Sequence, residues 1–218
     1  MKTYNSITDL PQRVSIFPLT GAVLFPKTQL PLNIFEPRYI QMIDEALSSS
    51  ERIIGMIQTN ASDKDNKTLK KVGCVGRISS FSETNDGRYL VTLNGLNRFE
   101  IQEELTTTTN YRQIICDYDN YNQDLHVDDT SNIDRNNLLK LIKKYLKQRN
   151  LLIDWDIIEQ SPTEQLINYS GVLVPFNPEE KQLLLETNTL LERSKTLEAL
   201  FESYQYQSDQ DTPNNILH

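Results

Sequence analysis

The amino-acid sequence predicts an α+β protein in which a small β-barrel with one inserted helix is followed by an α-helical bundle. Three features of the 218-residue chain carry that reading. Apolar residues recur in short period-two runs through the first half and at helical spacing through the second, and the polar stretch 120–129 lies between them. The chain is thus expected to divide into a β-rich part at 1–122, a helical bundle at 123–206 and a disordered polar tail at 207–218.

The barrel strands come first. Val14–Phe17 and Val23–Phe25 are short β-rich runs separated by Pro18 and Gly21, and Gln29–Phe35 alternates at period two. Pro31 removes a ladder donor from that last run, so it is expected at a sheet edge or a bulge. Pro37 suits a first helical turn, and Tyr39, Ile40, Met42, Ile43 and Leu47 follow at helical spacing, which predicts a helix over 37–48. Strands resume at Arg52–Gln58 and Val72–Ile78, separated by a polar loop from Asn60 to Lys67 that is expected to be mobile. Phe81–Glu83 and Tyr89–Leu93 flank Asp86-Gly87, which predicts a hairpin with a tight primed turn. Asn94-Gly95 predicts a second turn before Arg98–Ile101, and Tyr111–Tyr118 closes the series.

Four helices are expected in the second half. Ile133, Leu138, Leu141, Ile142, Tyr145 and Leu146 form an apolar stripe, with Lys140, Lys143, Lys144 and Lys147 on other faces. Ser161-Pro-Thr-Glu164, Asn177-Pro-Glu-Glu180 and Thr189-Leu-Leu-Glu192 each read as a helix start, with a capping side chain followed three residues later by a carboxylate. Leu190, Leu197 and Tyr204 recur every seven residues, which fits packing on the other helices or a coiled-coil contact that makes the chain an oligomer.

Composition bounds the function. Hydrophobic residues make up 38% and the mean hydropathy is -0.51, yet ten Tyr and seven Phe give the chain enough apolar bulk to fold. The net charge is -8, of which residues 1–122 carry -1 and residues 123–218 carry -7. That balance disfavours nucleic acid, because neutralising phosphates requires a broad basic surface. Met1–Gln12 is polar and Val14–Phe25 is too short and too interrupted to span a membrane, so a cytoplasmic protein without membrane contact is expected. Cys74 and Cys116 are too few and too far apart for a zinc site and read as buried small hydrophobes.

No catalytic constellation emerges. His126 lies in the acidic segment Asp124–Asp129 and reads as a solvated loop residue, and His218 sits in the tail. The chain contains no Gly-Lys dipeptide and hence no Walker loop, and it has no H-E-x-x-H, G-x-S-x-G or S-x-x-K motif. Asp63–Lys67 and Asp117–Tyr121 fail calcium-loop spacing at the third ligand position. No metal, no cofactor and no enzyme activity are expected.

One segment stands out for another reason. Prolines 18, 26, 31 and 37 punctuate a run of large apolar residues and rigidify it while denying it regular pairing. Phe17-Pro-Leu-Thr-Gly-Ala-Val-Leu-Phe-Pro26 with Leu30-Pro-Leu-Asn-Ile-Phe-Glu-Pro-Arg-Tyr39 resembles the opening motif of the N-terminal substrate-binding domain of Lon proteases, especially its stand-alone forms. Gly55, Val72-Gly-Cys-Val-Gly-Arg77, Asp86-Gly-Arg88 and Leu93-Asn-Gly-Leu-Asn-Arg-Phe99 fit the same family, over residues 14 to about 118, and the helical remainder is compatible to about residue 206. The resemblance implies a PUA-like β pseudo-barrel followed by an α-helical bundle, used to hold protein substrates. It also implies an ATPase and a Ser-Lys peptidase domain in full-length members, and these 218 residues lack the motifs of both.

The expected function is therefore non-catalytic binding of polypeptide, linked to proteolysis or quality control. Phe25, Phe35, Pro37 and Tyr39 are the expected contacts, with Glu36 and Arg38 orienting the loop or the ligand; the alternative is that these residues fill and brace the barrel. A second function class is an RNA-binding PUA-like module, for which Arg77, Arg88, Arg98 and Arg112 are the candidates. A small-molecule enzyme ranks last, because no base or nucleophile cluster is present.

Overall fold

The computed structural model describes residues 4–60, 68–149 and 155–210. The polar loop expected to be mobile lies, apart from Asn60, outside the described residues, as does the tail beyond Gln210. The described strands are β1 (Arg13–Pro18), β2 (Gln29–Ile34), β3 (Ile53–Thr59), β4 (Leu69–Glu83), β5 (Tyr89–Leu105) and β6 (Gln113–Asp117), with helix α1 (Pro37–Ser48) inserted after β2. The strand order is β2-β5-β4-β3-β1-β6, and β6 returns to pair with β5. Five strands thus close into a barrel and β2 hangs on its edge. Closure is possible because β5 is long: Tyr89–Asn94 pair with β2, Glu100–Leu105 pair with β6, and β4 runs along its opposite side. Only β1 and β3 run parallel, joined through β2 and α1.

Fewer strands form than the sequence suggests, since four of the expected runs merge into β4 and β5. Asn94-Gly95 makes no turn. Gly95 lies inside β5, where a Cβ would meet the Phe25 carbonyl oxygen at 2.0 Å, so this glycine serves close backbone approach rather than chain reversal. Val23–Phe25 is not a strand either; it is a buried connection pressed against that point. The β4–β5 hairpin turns through a three-residue loop in place of the expected primed turn. Gly87 N–H donates to the Thr84 carbonyl at 3.0 Å and Gly87 has φ of 78°, the type I turn with a left-handed bulge residue that also matches strand twist.

Pro31 does sit on the sheet edge. Lys27, at φ of 60°, forms a bulge with Thr28 opposite Gly95: Lys27 N–H donates to Gly95 and Gly95 N–H to Thr28. Counting on from that bonded pair, the antiparallel alternation turns the backbone of Pro31 away from β5, where its missing donor costs no ladder bond. The Tyr169 hydroxyl accepts from the neighbouring outward Gln29 N–H at 3.2 Å, so two features blunt the open edge.

Five described helices follow: α2 (Arg135–Gln148), α3 (Trp155–Gln160), α4 (Thr163–Leu173), α5 (Pro178–Glu186) and α6 (Leu190–Gln210). The Asn177–Glu180 capping box forms, and Thr189 with Glu192 makes the same reciprocal bonds. The Ser161 box does not form. Its hydroxyl donates to the Ile157 carbonyl of α3, and Glu164 pairs instead with Lys27 at 2.6 Å. Leu190, Leu197 and Phe201 are buried in the bundle, so the apolar stripe of α6 is used within the chain; α6 also extends through 207–210, which were expected to be tail.

The core is continuous across the two parts. One cluster joins Val23, Phe25, Val72 and Tyr121 of the β-rich part to the helices; a second lies beneath α1, and a third fills the opposite end of the barrel around Ile16, Phe99 and Ile114. No described helix is long and apolar enough to cross a membrane.

Candidate polypeptide-binding surface

Residues 23–39 leave the interior, skirt the barrel edge and enter α1. The first stretch is a latch between barrel and helices. Phe25 is fully buried under the Arg193 guanidinium, 5.1 Å from the ring, and Arg193 is held by the Leu184 carbonyl at 3.1 Å and the Asn168 side-chain oxygen at 2.6 Å. Asn168 in turn donates to the Pro26 carbonyl at 3.1 Å. Burial, with the Arg98 charge nearby, pulls Arg193 down to about 10, so it stays charged at neutral pH and lies over the face of Phe25 as a cation–π partner.

A second clamp repeats this logic. Arg98 and Asp124 are 2% and 4% exposed and bonded at 2.9 and 2.7 Å through two guanidinium nitrogens. The remaining Arg98 donors reach the Leu185, Thr187 and Asn188 carbonyls at the end of α5, which the helix itself cannot satisfy.

Beyond β2 the chain surfaces. Ile34 is buried while Phe35, one residue later, is 64% exposed, and the register that pairs Ile34 with Tyr89 carries Phe35 to the level of Arg88 at the hairpin tip. The Arg88 guanidinium lies 6.0 Å from the Phe35 ring and pairs with Asp86 at 2.9 Å. Glu36 is the N-cap of α1 but makes no side-chain cap; it accepts from Arg38 at 2.7 Å instead, and Pro37 follows exposed in the first turn. On the same hairpin Phe81 and Leu90 are 41% and 44% exposed, and Phe81 meets Tyr89 edge-on at 4.8 Å. Two ion pairs, Arg38 with Glu36 and Arg88 with Asp86, thus lie near these exposed apolar groups.

Two expected contacts are corrected. Phe25 and Tyr39 are 0% and 6% exposed, so neither side chain can meet a ligand in this state. Phe25 is consumed by the helical core, and Tyr39 by an edge-on contact with Phe17 at 4.3 Å, with the Arg38 guanidinium 4.5 Å from its ring. Phe35, Glu36, Pro37 and Arg38 are brought together at the β2–α1 junction. The approach of Arg88 at the hairpin tip to the Phe35 ring was missed, because it depends on a register that no local pattern displays. Three of the four arginines suggested for RNA recognition are otherwise engaged: Arg98 is buried, Arg88 pairs with Asp86, and Arg112 grips Glu104 at 2.6 Å through two nitrogens. Arg77 is half-buried. Cys74 and Cys116 are free and buried, and no group of three or more His, Cys, Asp or Glu among the described residues could hold a metal.

Residues 13–201 match the family model of the ATP-dependent protease La (LON) substrate-binding domain. The chain belongs to the Lon substrate-binding domain family. Among relatives, Lon protease 2 of Sorangium cellulosum is 34% identical over 92 residues, 41% of this chain and 11% of that protein. Lon protease of Dictyoglomus thermophilum is 27% identical over 205 residues, covering 87% of this chain and 24% of that protein. The Lon-type domain described here thus spans about a quarter or less of these curated relatives. The fold is shared with solved structures: a Lon N-terminal domain protein from Xanthomonas campestris (TM-score 0.61, 19% identity, 86% of this chain and 97% of that one). The N-terminal domain of a Mycobacterium avium complex Lon protease gives TM-score 0.65 at 17% identity, covering 88% and 99%.

Proposed function

We propose that this Lon-family domain is a non-catalytic module that binds extended apolar segments of polypeptide at the β2–α1 junction. Phe35 supplies the anchor, Pro37 the adjoining apolar wall, and Glu36 with Arg38 a paired polar rim that excludes water from it. In this reading the domain holds the substrate, and the proteolytic chemistry named for the relatives lies outside it. Residues 1–122 and 123–206 act as two subdomains in this reading, with the barrel presenting the surface and the helices bracing it.

The observation that carries the proposal is the exposure of Phe35, 64%, on a segment otherwise packed by alternation, with Ile34 at 1% and Leu32 at 8%. An isolated exposed aromatic is common, but this one sits on a proline-stiffened junction with the Arg88 guanidinium of the hairpin tip 6.0 Å from its ring. Burying such a ring contributes about 1.5–3 kcal/mol, and the stiff backbone reduces the ordering cost of binding.

Fluorescence anisotropy with a labelled, chemically unfolded protein tests this reading. Phe35→Ala is expected to weaken binding about tenfold while the melting temperature is kept, as for an interface anchor. Equal affinity of the variant and the parent contradicts the proposal. Tyr39→Ala is expected to lose stability instead, because its ring fills the core.

A further inference from the structure

Helix α2 holds the sharpest segregation of charge in the sequence. Residues 135–149 contain six of the nine Lys and Arg of residues 123–218 and none of their sixteen Asp and Glu. Lys140, Lys143, Lys144 and Lys147 follow the spacing i, i+3, i+4, i+7, and all of them are exposed. The opposite face, with Leu138, Leu141, Ile142 and Tyr145, is buried against the bundle, so the lysines form one outward strip. The strip is about 10 Å long at helical rise.

These lysines differ from most other surface cations, although among the described residues Arg52 and Lys195 are also exposed without an ion pair. Lys27, Lys70, Lys71, Arg88 and Arg112 each pair with a carboxylate of the chain. Among the described residues no ion pair reaches Lys140, Lys143, Lys144 or Lys147, and Lys143 alone has a recorded partner, the Trp155 ring at 4.8 Å. Lys140 with Lys144 and Lys143 with Lys147 are like charges at i, i+4, an arrangement that weakens a helix. A chain with an excess of carboxylates nevertheless pairs none of its described ones with these lysines.

We propose that the lysine face of α2 is a docking surface for an acidic segment of a partner polypeptide. Carboxylates spaced along a helix at i, i+3, i+4 and i+7 repeat at the same rise as the lysines, so one short acidic helix can answer all of them at once. A nucleic acid fits less well. Outside residues 135–149 the helical part holds three Lys and Arg against sixteen Asp and Glu, so a short acidic helix can stay on the strip while a continuous phosphate backbone must run on over the acidic remainder. The Trp155 face is already covered by Lys143, and the lysines offer point charges without the fork that grips phosphate. This surface is separate from the Phe35 site, and neither proposal depends on the other.

The test is anisotropy with a labelled helical peptide carrying glutamates at i, i+3, i+4 and i+7, its glutamine counterpart, and an oligothymidylate competitor. The parent protein is expected to bind the glutamate peptide, with affinity falling as salt rises from about 50 to about 300 mM. The variant with Lys140, Lys143, Lys144 and Lys147 all changed to Gln is expected to bind about tenfold more weakly without a loss of melting temperature. The pair Lys70→Gln and Lys71→Gln on the barrel, and Phe35→Ala, are expected to leave that affinity unchanged. If the quadruple variant loses melting temperature, the charge-reversing Lys144→Glu alone is read in its place, with weaker binding expected. The proposal is overturned if the lysine variants bind as the parent does, if the glutamine peptide binds equally well, or if the oligonucleotide binds more tightly than the glutamate peptide.

Discussion

Single side chains hold the barrel to the helices, and Arg98 is the clearest case. Its two bonds to Asp124 and its donation to three carbonyls near the end of α5 leave no room for a shorter cation. Removing the guanidinium strands a buried carboxylate, so Arg98→Ala is expected to cost about 3–5 kcal/mol in chemical denaturation. A loss below about 1 kcal/mol would show that water replaces the guanidinium at no cost, contrary to its burial. Arg98 was legible as a member of the Leu93–Phe99 motif, but its carbonyl partners lie roughly ninety positions away and left no local signal. Phe25 carries the same lesson. Its aromatic character and proline neighbours fit a contact surface as well as a core, and only the placement of α4 and α6 decides for the core.

At the scale of elements, what the sequence displays is periodicity, and what it hides is continuity. Helix α1 was readable to the residue, because Pro37 and the apolar spacing that follows are local, and the edge position of β2 followed from Pro31. The long strands β4 and β5 were not readable, because glycines and polar residues inside them look like turns. Gly95 shows why: it gives way to the Phe25 backbone from a neighbouring segment. Gly95→Ala is therefore expected to displace the 23–28 connection. Loss of native amide protection for Lys27 and Gly95 in hydrogen exchange, at the bonds that form the bulge, checks it. Unchanged protection would mean that the strand absorbs a Cβ placed at 2.0 Å from a carbonyl oxygen.

For the whole molecule, buried thiols and phenols set the response to alkali. Burial lifts Cys116 from its ordinary 9.0 to about 12 and Cys74 further, and Tyr4 and Tyr204 rise to about 12, each through burial and a hydrogen bond to a glutamate. The folded chain keeps these protons after the unfolded chain has begun to lose them. Their contribution to stability is complete below about pH 9 and is lost as the pH climbs toward about 12. The urea midpoint is expected to hold between about pH 7 and about pH 8.5 and to fall by about pH 10, and a flat or rising midpoint contradicts this. Both thiols are expected to resist aromatic disulfide reagents until the protein unfolds.

The whole-molecule question is where polypeptide meets the domain. A photo-crosslinking phenylalanine analogue placed at position 35, with a second placed at Leu173, which is 73% exposed on the helical part, compares two apolar positions of similar accessibility. With a labelled unfolded protein as the probe, the account predicts strong crosslinking from position 35 and little from position 173. Equal yields from the two positions, or crosslinking from position 173 alone, would contradict it.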